Sequence, residues 1–324
     1  MSSVRFVGNE PTPDFYSRTA DVISHWEVGQ LPFDHAMESL RELRLEADAT
    51  QHTPNQARAE QMLGYLEQML GYLLTLRGAL VQAVRHFERN RALFAEVGNR
   101  RRVIIADLNL GETYRQRGDF KRAQAYFEKA YQSSREIGDR EQEAVALCNA
   151  GQMLLTLGDL AGAYSALTES YELVLQFPAD DPDRTAIMCE LHHALTILYL
   201  RRGEVIPAWH AAKLAYRIAE AVQKPYERGF ACRAVAEALH HLAHPDDGFE
   251  ADPDVYFQAA LSAFQDIQIE GEIGRTLLAH ARSLADRGRK MTAARKLRAA
   301  MLIFARLGML EDAARAAELQ RDVL

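Results

Sequence analysis

Apolar residues recur at three- and four-residue spacing along most of the chain, as in Leu108, Leu110 and Tyr114, then Phe120, Ala123, Phe127, Ala130 and Tyr131. That period lays an apolar stripe along one side of a helix, and strand signals are absent. Glycines punctuate the stripes: Gly78, Gly98, Gly118, Gly138 and Gly158 stand twenty residues apart, each closing one apolar segment. A glycine there can take the left-handed conformation that ends a helix, and the residue after it, Asn99, Asp119, Asp139 or Asp159, can cap the next one. Asp139 and Gln142 are spaced as a capping box. All ten prolines (Pro11, Pro13, Pro32, Pro54, Pro178, Pro182, Pro207, Pro225, Pro245 and Pro253) fall in breaks or first turns. A proline inside a helix costs about 3 kcal/mol, so they mark the same boundaries independently of the glycines.

The fold class is therefore all-α. The pattern predicts helices over 13–28, 33–48, 55–77, 79–97, 100–117, 120–137, 140–157, 160–176, 183–202, 205–222, 225–242, 254–268, 271–287, 290–307 and 310–322. They form seven hairpins and a final helix, in which Leu310, Ala313, Ala314, Ala317 and Leu319 stand among charges as in a cap with a polar outer face. The period of forty lengthens to forty-five between Gly158 and Gly203, because 177–185 enlarges one turn. An acidic insertion, 244–254, interrupts the sixth pair and is expected to be a mobile surface loop. This organisation reads as a degenerate N-terminal helical hairpin over 1–54 followed by one repeat array over 55–324.

The segment ADLNLGETYRQRGDFKRAQAYFEKA, residues 106–130, carries Leu110-Gly111, Tyr114, Gly118, Phe120, Ala123, Phe127 and Ala130. This alternation of small and large residues resembles the tetratricopeptide repeat. Gly111 would let the second helix approach the first, Tyr114 and Phe127 would fill the space between hairpins, and Ala123 would sit at a tight crossing. The pattern returns one period on, at Gly151, Leu154, Gly158, Leu160, Ala163 and Leu167, and one period back, at Gly71, Leu74, Gly78, Leu80, Ala83 and Phe87. It decays further out. The unit exceeds the usual thirty-four residues and is similar to the forty-residue subgroup of kinesin light chains and MalT-type sensors. The resemblance implies a right-handed superhelical solenoid of about seven antiparallel helix pairs plus a C-terminal capping helix, with the first helix of each pair lining a concave groove.

In that family an asparagine just before the Leu-Gly pair points into the groove and bonds the backbone of an extended peptide. Asn109 stands directly before Leu110-Gly111, and Asn149 holds the same place before Ala150-Gly151. An amide suits this role because it offers a donor and an acceptor at once. Glu112, Arg115 and Gln116 share the helical face of Asn109, and Gln152 that of Asn149. By register Tyr65, Gln68 and Tyr72 line the preceding repeat, and His193, Arg233 and Glu237 the following ones. This lining is mixed in charge, unlike the lysine- and arginine-rich clamps with which some relatives hold a terminal carboxylate.

Composition narrows the function. With 48% hydrophobic and 26% charged residues the chain has the balance of a soluble folded protein, and no apolar run reaches the roughly 18–20 residues of a membrane span. Residues 1–12 lack the basic flank and apolar centre of a signal peptide, so a cytoplasmic location is expected. Cys148, Cys189 and Cys232 form no CxxC pair and read as small core or groove residues. A net charge of −7 leaves no overall footprint for nucleic acid. His240 and His244 lie one helical turn apart with Asp246 nearby, but zinc needs three or four ligands, so neither metal nor cofactor is expected. Eight acids and no lysine or arginine occupy 245–274, whereas 275–306 holds nine basic residues and one acid. These blocks most simply attract each other. Alternatively Arg289, Lys290, Arg295, Lys296 and Arg298 offer a basic face to an acidic partner or to nucleic acid, although the acidic insertion would screen that face and makes nucleic acid unexpected.

No Walker-type phosphate loop, HExxH or GxSxG occurs. The sequence thus points to a non-enzymatic scaffold that binds a protein or peptide in its groove. Two other readings stay open: a ligand- or peptide-sensing regulator of the MalT or pheromone-receptor type without its own DNA-binding domain, and a self-associating homo-oligomer.

Overall fold

A computed structural model describes residues 13–50, 56–178, 181–242, 245 and 248–323, and all regular structure among them is helical. The first helices are α1 (Pro13–Glu27), α2 (Phe33–Thr50), α3 (Gln56–Leu76), α4 (Leu80–Glu96) and α5 (Arg100–Gln116). Next come α6 (Phe120–Ile137), α7 (Arg140–Leu157), α8 (Leu160–Val174), α9 (Pro182–Arg201) and α10 (Val205–Val222). The last are α11 (Pro225–His240), α12 (Pro253–Asp266), α13 (Glu270–Asp286), α14 (Lys290–Leu307) and α15 (Leu310–Val323). Every boundary lies within two residues of its predicted place. None of these helices is long and apolar enough to cross a membrane.

The punctuation works as its chemistry demands. The five evenly spaced glycines all have positive φ, from 71° to 84°. Asn99, Asp119, Asp139 and Asp159 each accept the backbone N–H three residues on, at 3.1, 3.2, 3.1 and 2.9 Å. The capping box at Asp139 is only half made. The Asp139 N–H is already donated to the Ser134 carbonyl at 2.9 Å in the turn that closes α6, so the Gln142 amide turns to Glu141 instead, at 2.8 Å.

The chain forms two compact units, Met1–Asn149 and Ala150–Leu324, with the boundary inside α7. In the first, α3 packs on α4 and α5 on α6, each pair locked where a glycine meets an aromatic ring. A methyl group added at Gly111 would lie 2.5 Å from the Phe127 ring, and one at Gly71 2.7 Å from Phe87. In the second unit, Gly229 and Phe264 repeat the device at 2.5 Å, and Leu167 takes the ring's place opposite Gly151. Trp26, Phe87 and Phe127 are the largest fully buried side chains of the first unit, and Phe257, Phe264 and Phe304 those of the second. All three cysteines are buried, and none is in a disulfide.

The insertion expected to be a mobile loop is anchored at its far end. Phe249 packs edge-on against Trp209 and Tyr216, with ring centres 4.9 and 5.5 Å away, and the Glu250 N–H donates to the Tyr256 hydroxyl at 3.0 Å. Its aspartates meet the basic block: Asp254 pairs with Arg287 and, at 2.5 Å, with Arg289, and Asp252 pairs with Arg287 at 3.3 Å. Glu270 pairs with Arg306 at 2.7 Å.

Candidate ligand-binding faces of the two units

The first helix of each pair carries the residues expected to meet a ligand. Asn109 lies between the buried Leu108 and Leu110 of α5, and Asn149 follows the buried Leu147 and Cys148 of α7. Both asparagines are half-buried, and neither amide is hydrogen-bonded to another described residue of the first unit.

The neighbours on α5 form a self-contained group. Glu112 accepts from Arg115 at 2.7 and 2.6 Å and from Gln116 at 2.8 Å, so its carboxylate is occupied by its own helix. In the preceding repeat, Gln68 accepts from Arg102 at 3.2 Å, and the Arg102 guanidinium sits 5.7 Å from the centre of the Tyr65 ring. Tyr65 is buried. Burial raises its hydroxyl pKa, and Arg102 opposes the rise. Tyr72 is half-buried and meets Trp26 edge-on at 6.2 Å. Arg102 escaped the sequence reading, although it precedes Asn109 by two helical turns and the periodicity places it on the same face.

The second unit arranges its residues differently. Gln152, one turn beyond Asn149 on α7, is half-buried. His193 on α9 is buried, meets Phe230 edge-on at 5.0 Å, and has its Nε2 3.5 Å from an Arg233 nitrogen. Burial, reinforced by Arg233, pushes the His193 imidazole down to about 3, so the ring is neutral and Nε2 accepts. Arg233 on α11 lies over the rings of Phe230 and Phe264, at 5.0 and 5.7 Å, and donates to Glu272 on α13 at 2.7 Å. Glu272 also accepts from Arg275 at 2.6 Å, and Arg275 reaches Asp312 on α15 at 3.0 Å. Burial alone would raise the Glu272 carboxyl, but Arg233 and Arg275 outweigh it and hold it at about 2. A ladder of buried polar contacts, charged from Arg233 onward, thus crosses the first helices of three successive pairs, α9, α11 and α13, and ends on the final helix α15.

Glu237 stands one turn beyond Arg233 on α11. Its Oε2 is buried without a hydrogen-bond partner, and burial raises the carboxyl against the pull of Arg233, Arg282 and Arg201. The histidine pair considered for a metal is differently engaged: His240 faces Asp286 at 3.1 Å, while His244 and Asp246 lie outside the described residues. Among the described residues no group of three or more histidines, cysteines and acids could hold a metal ion. The two faces therefore offer different chemistry, neutral amides on the first unit and buried ion pairs on the second.

The family model described as tetratricopeptide repeat matches residues 61–136 and 102–176. No curated protein sequence matches the chain. Among solved structures it is similar to the apo form of RapI, at 12% identity and a TM-score of 0.62 over 90% of this chain and 97% of that one. It is also similar to the Rap conjugation gene regulator of plasmid pLS20 in complex with the Phr* peptide, at 12% identity and a TM-score of 0.70 over 93% of this chain and 76% of that one. A Rap protein complexed with competence and sporulation factor aligns at 12% identity and a TM-score of 0.56, over 97% of this chain and 98% of that one. At such identity the likeness establishes the helical-repeat fold.

Proposed function

We propose, from the tetratricopeptide-repeat model that matches residues 61–176 and the helical-repeat fold of the whole chain, that this is a non-enzymatic, peptide-binding regulator or scaffold. One observation carries the reading. Asn109 and Asn149, one repeat apart, present half-buried amides from equivalent places on two first helices. Successive peptide groups of an extended ligand repeat every ~3.3 Å and alternate in direction, so amides that both donate and accept can hold a backbone whatever its side chains. Arg102 and the Glu112–Arg115 pair flank Asn109 and would read the side chains. The likeness to the pLS20 Rap regulator, whose structure contains a peptide, favours a regulatory role over a purely structural one.

The test is a peptide-array measurement on the full chain, wild type against Asn109→Ala with Asn149→Ala. The double variant is expected to lose peptide retention about tenfold while its stability stays within about 1 kcal/mol, since both positions are polar and half-exposed. Unchanged retention would remove the asparagines from the ligand face.

A further inference from the structure

Among the described helices only α14 carries no acidic residue, and it holds five basic ones, Lys290, Arg295, Lys296, Arg298 and Arg306. Its buried side is Ala293, Leu297, Ala300 and Phe304. The opposite side, Met291, Arg295, Arg298, Leu302 and Ala305, is exposed at every position. Steps of four and three residues keep these five on one line along the helix, and a rise of 1.5 Å per residue sets Met291 and Leu302 about 16 Å apart.

That line is unusually apolar for a surface and unusually short of counter-charge. Met291 is 79% exposed, Leu302 68% and Leu310, just past the turn that ends α14, 74%; with Leu45 they are the most exposed large apolar side chains among the described residues. The neighbouring acids are engaged at the two ends of the helix, Asp254 with Arg289 at 2.5 Å and Glu270 with Arg306 at 2.7 Å. Between those ends Arg295 donates only to the Thr292 hydroxyl, at 3.5 Å, and neither Lys290 nor Arg298 forms an ion pair among the described residues.

The order of residues along the line selects its occupant. Both guanidiniums lie between the two apolar side chains. In a protein interface that centre is the part that leaves water, where charges are depleted because desolvating them is costly. Nucleic-acid phosphates would meet the arginines but leave Met291 and Leu302 in water. A bilayer surface satisfies both kinds of residue, since guanidiniums stay hydrated among the phosphates while apolar tips reach the acyl boundary. Anionic headgroups add an attraction that grows with each basic residue.

We propose that the exposed side of α14 docks on an anionic lipid surface, with Met291 and Leu302 entering the headgroup region and Arg295 and Arg298 holding lipid phosphates. No described helix is long and apolar enough to cross a membrane, so the contact is peripheral. Two apolar side chains and a few cations make it reversible.

The experiment is sedimentation of the full chain with vesicles of phosphatidylcholine alone and of phosphatidylcholine with phosphatidylglycerol in equal parts. Binding is expected to the mixed vesicles and not to phosphatidylcholine alone. Arg295→Gln with Arg298→Gln is expected to lower partitioning about tenfold. Met291→Ser with Leu302→Ser is expected to lower it by a similar factor. The same charge loss on the first unit, Arg85→Gln with Lys121→Gln, should leave it unchanged; both residues are exposed. Leu302→Trp supplies a positional readout, because the native Trp26 and Trp209 are buried: its added emission should shift to the blue on mixed vesicles. Equal binding to both vesicle types, no binding to either, or an unshifted Leu302→Trp on vesicles that still carry the protein would overturn the proposal. So would retention by polyglutamate or single-stranded DNA as tight as by mixed vesicles and insensitive to the serine changes, which would give the face to a protein or nucleic-acid partner.

Discussion

In the first unit the buried carboxylates Glu67 and Asp107 are met by basic side chains from the second helices on either side, whereas in the second unit the buried Arg233–Glu272 and Arg275–Asp312 pairs run from α11 to α13 and from α13 to α15. Glu67 on α3 is approached by Arg44 at 2.8 Å, His86 at 2.5 Å and Arg89 at 3.4 Å. Forty residues on, Asp107 on α5 is approached by Arg91 at 2.6 Å and Lys129 at 2.9 Å. These basic side chains keep 25–47% of their surface exposed, so only the acid is desolvated. In the Arg233–Glu272 pair the exposures are 6% and 10%, so both charges have left water. The first arrangement keeps the basic partners in contact with water. The second carries both charges into the packing between helices and makes that packing depend on protonation.

The largest expected difference between the units is therefore in acid. Burial lowers His192 to about 4, and burial with Arg233 lowers His193 to about 3. Burial with Lys296 lowers His280 to about 4, although its Nε2–H donates to Asp254 at 2.9 Å. All three values lie below the unfolded value of 6.5, so the unfolded chain takes up protons that the folded unit refuses. Their stabilising contribution is complete above about pH 6.5 and is lost as the pH falls towards 4, at up to about 1.4 kcal/mol per histidine per pH unit. Hydrogen exchange corrected for intrinsic rates should show α9 and α13 losing protection between pH 7 and pH 5, while α5 and α6, which contain no histidine, hold theirs. Protection of α9 and α13 that persists to pH 4 would erase the distinction.

Neutralising one partner of each buried ion pair sharpens the same contrast at fixed pH. Arg233→Met strips the buried Glu272 of one of its two cations and is expected to cost about 3–5 kcal/mol. Glu67→Gln leaves cations that can turn to water and is expected to cost about 1 kcal/mol or less beyond the lost hydrogen bonds. Urea unfolding of the two variants would compare them; equal losses would mean that partner exposure does not govern the cost.

The sequence made the helices legible because each boundary is written locally. Gly138 and Asp139 supply the turn and the cap without reference to anything distant, and the Gly111–Phe127 lock lies sixteen residues apart within one hairpin. Asn109 and Asn149 could be found by register for the same reason. Register also named His193 and Arg233, but neither Glu272 nor Asp312 nor the pairing among the four, which stand about forty residues apart. Their burial depends on how neighbouring pairs pack. Convergence of Arg201 and Arg315 on the end of α7 is more distant still, because it requires helices from opposite ends of the second unit to meet. The half-made capping box at Asp139 shows the limit of local rules, since two favourable motifs competed for one N–H.

The smallest expected effect concerns how the two units end their helices. Through the first unit, and on to Gly158, every positive φ among the described residues belongs to glycine, but the second unit ends α10 at Gln223 and follows α12 with Gln268, both at φ 56°. A side chain in that conformation brings its Cβ against the following carbonyl oxygen, at a cost of roughly 1–2 kcal/mol that glycine avoids. Glycine also gives the unfolded chain more freedom, which offsets part of the gain. Gln223→Gly is therefore expected to stabilise the protein by about 0.5–1 kcal/mol, read as a rise in its melting temperature. Gln223 is exposed, so no packing is lost with its side chain. The same change at Gly98, run in reverse as Gly98→Gln, meets open space and should destabilise by a similar amount through φ alone. If Gln223→Gly instead destabilises, the second unit is using that side chain, and the difference in helix ends is functional and not a relaxed version of the first unit's rule.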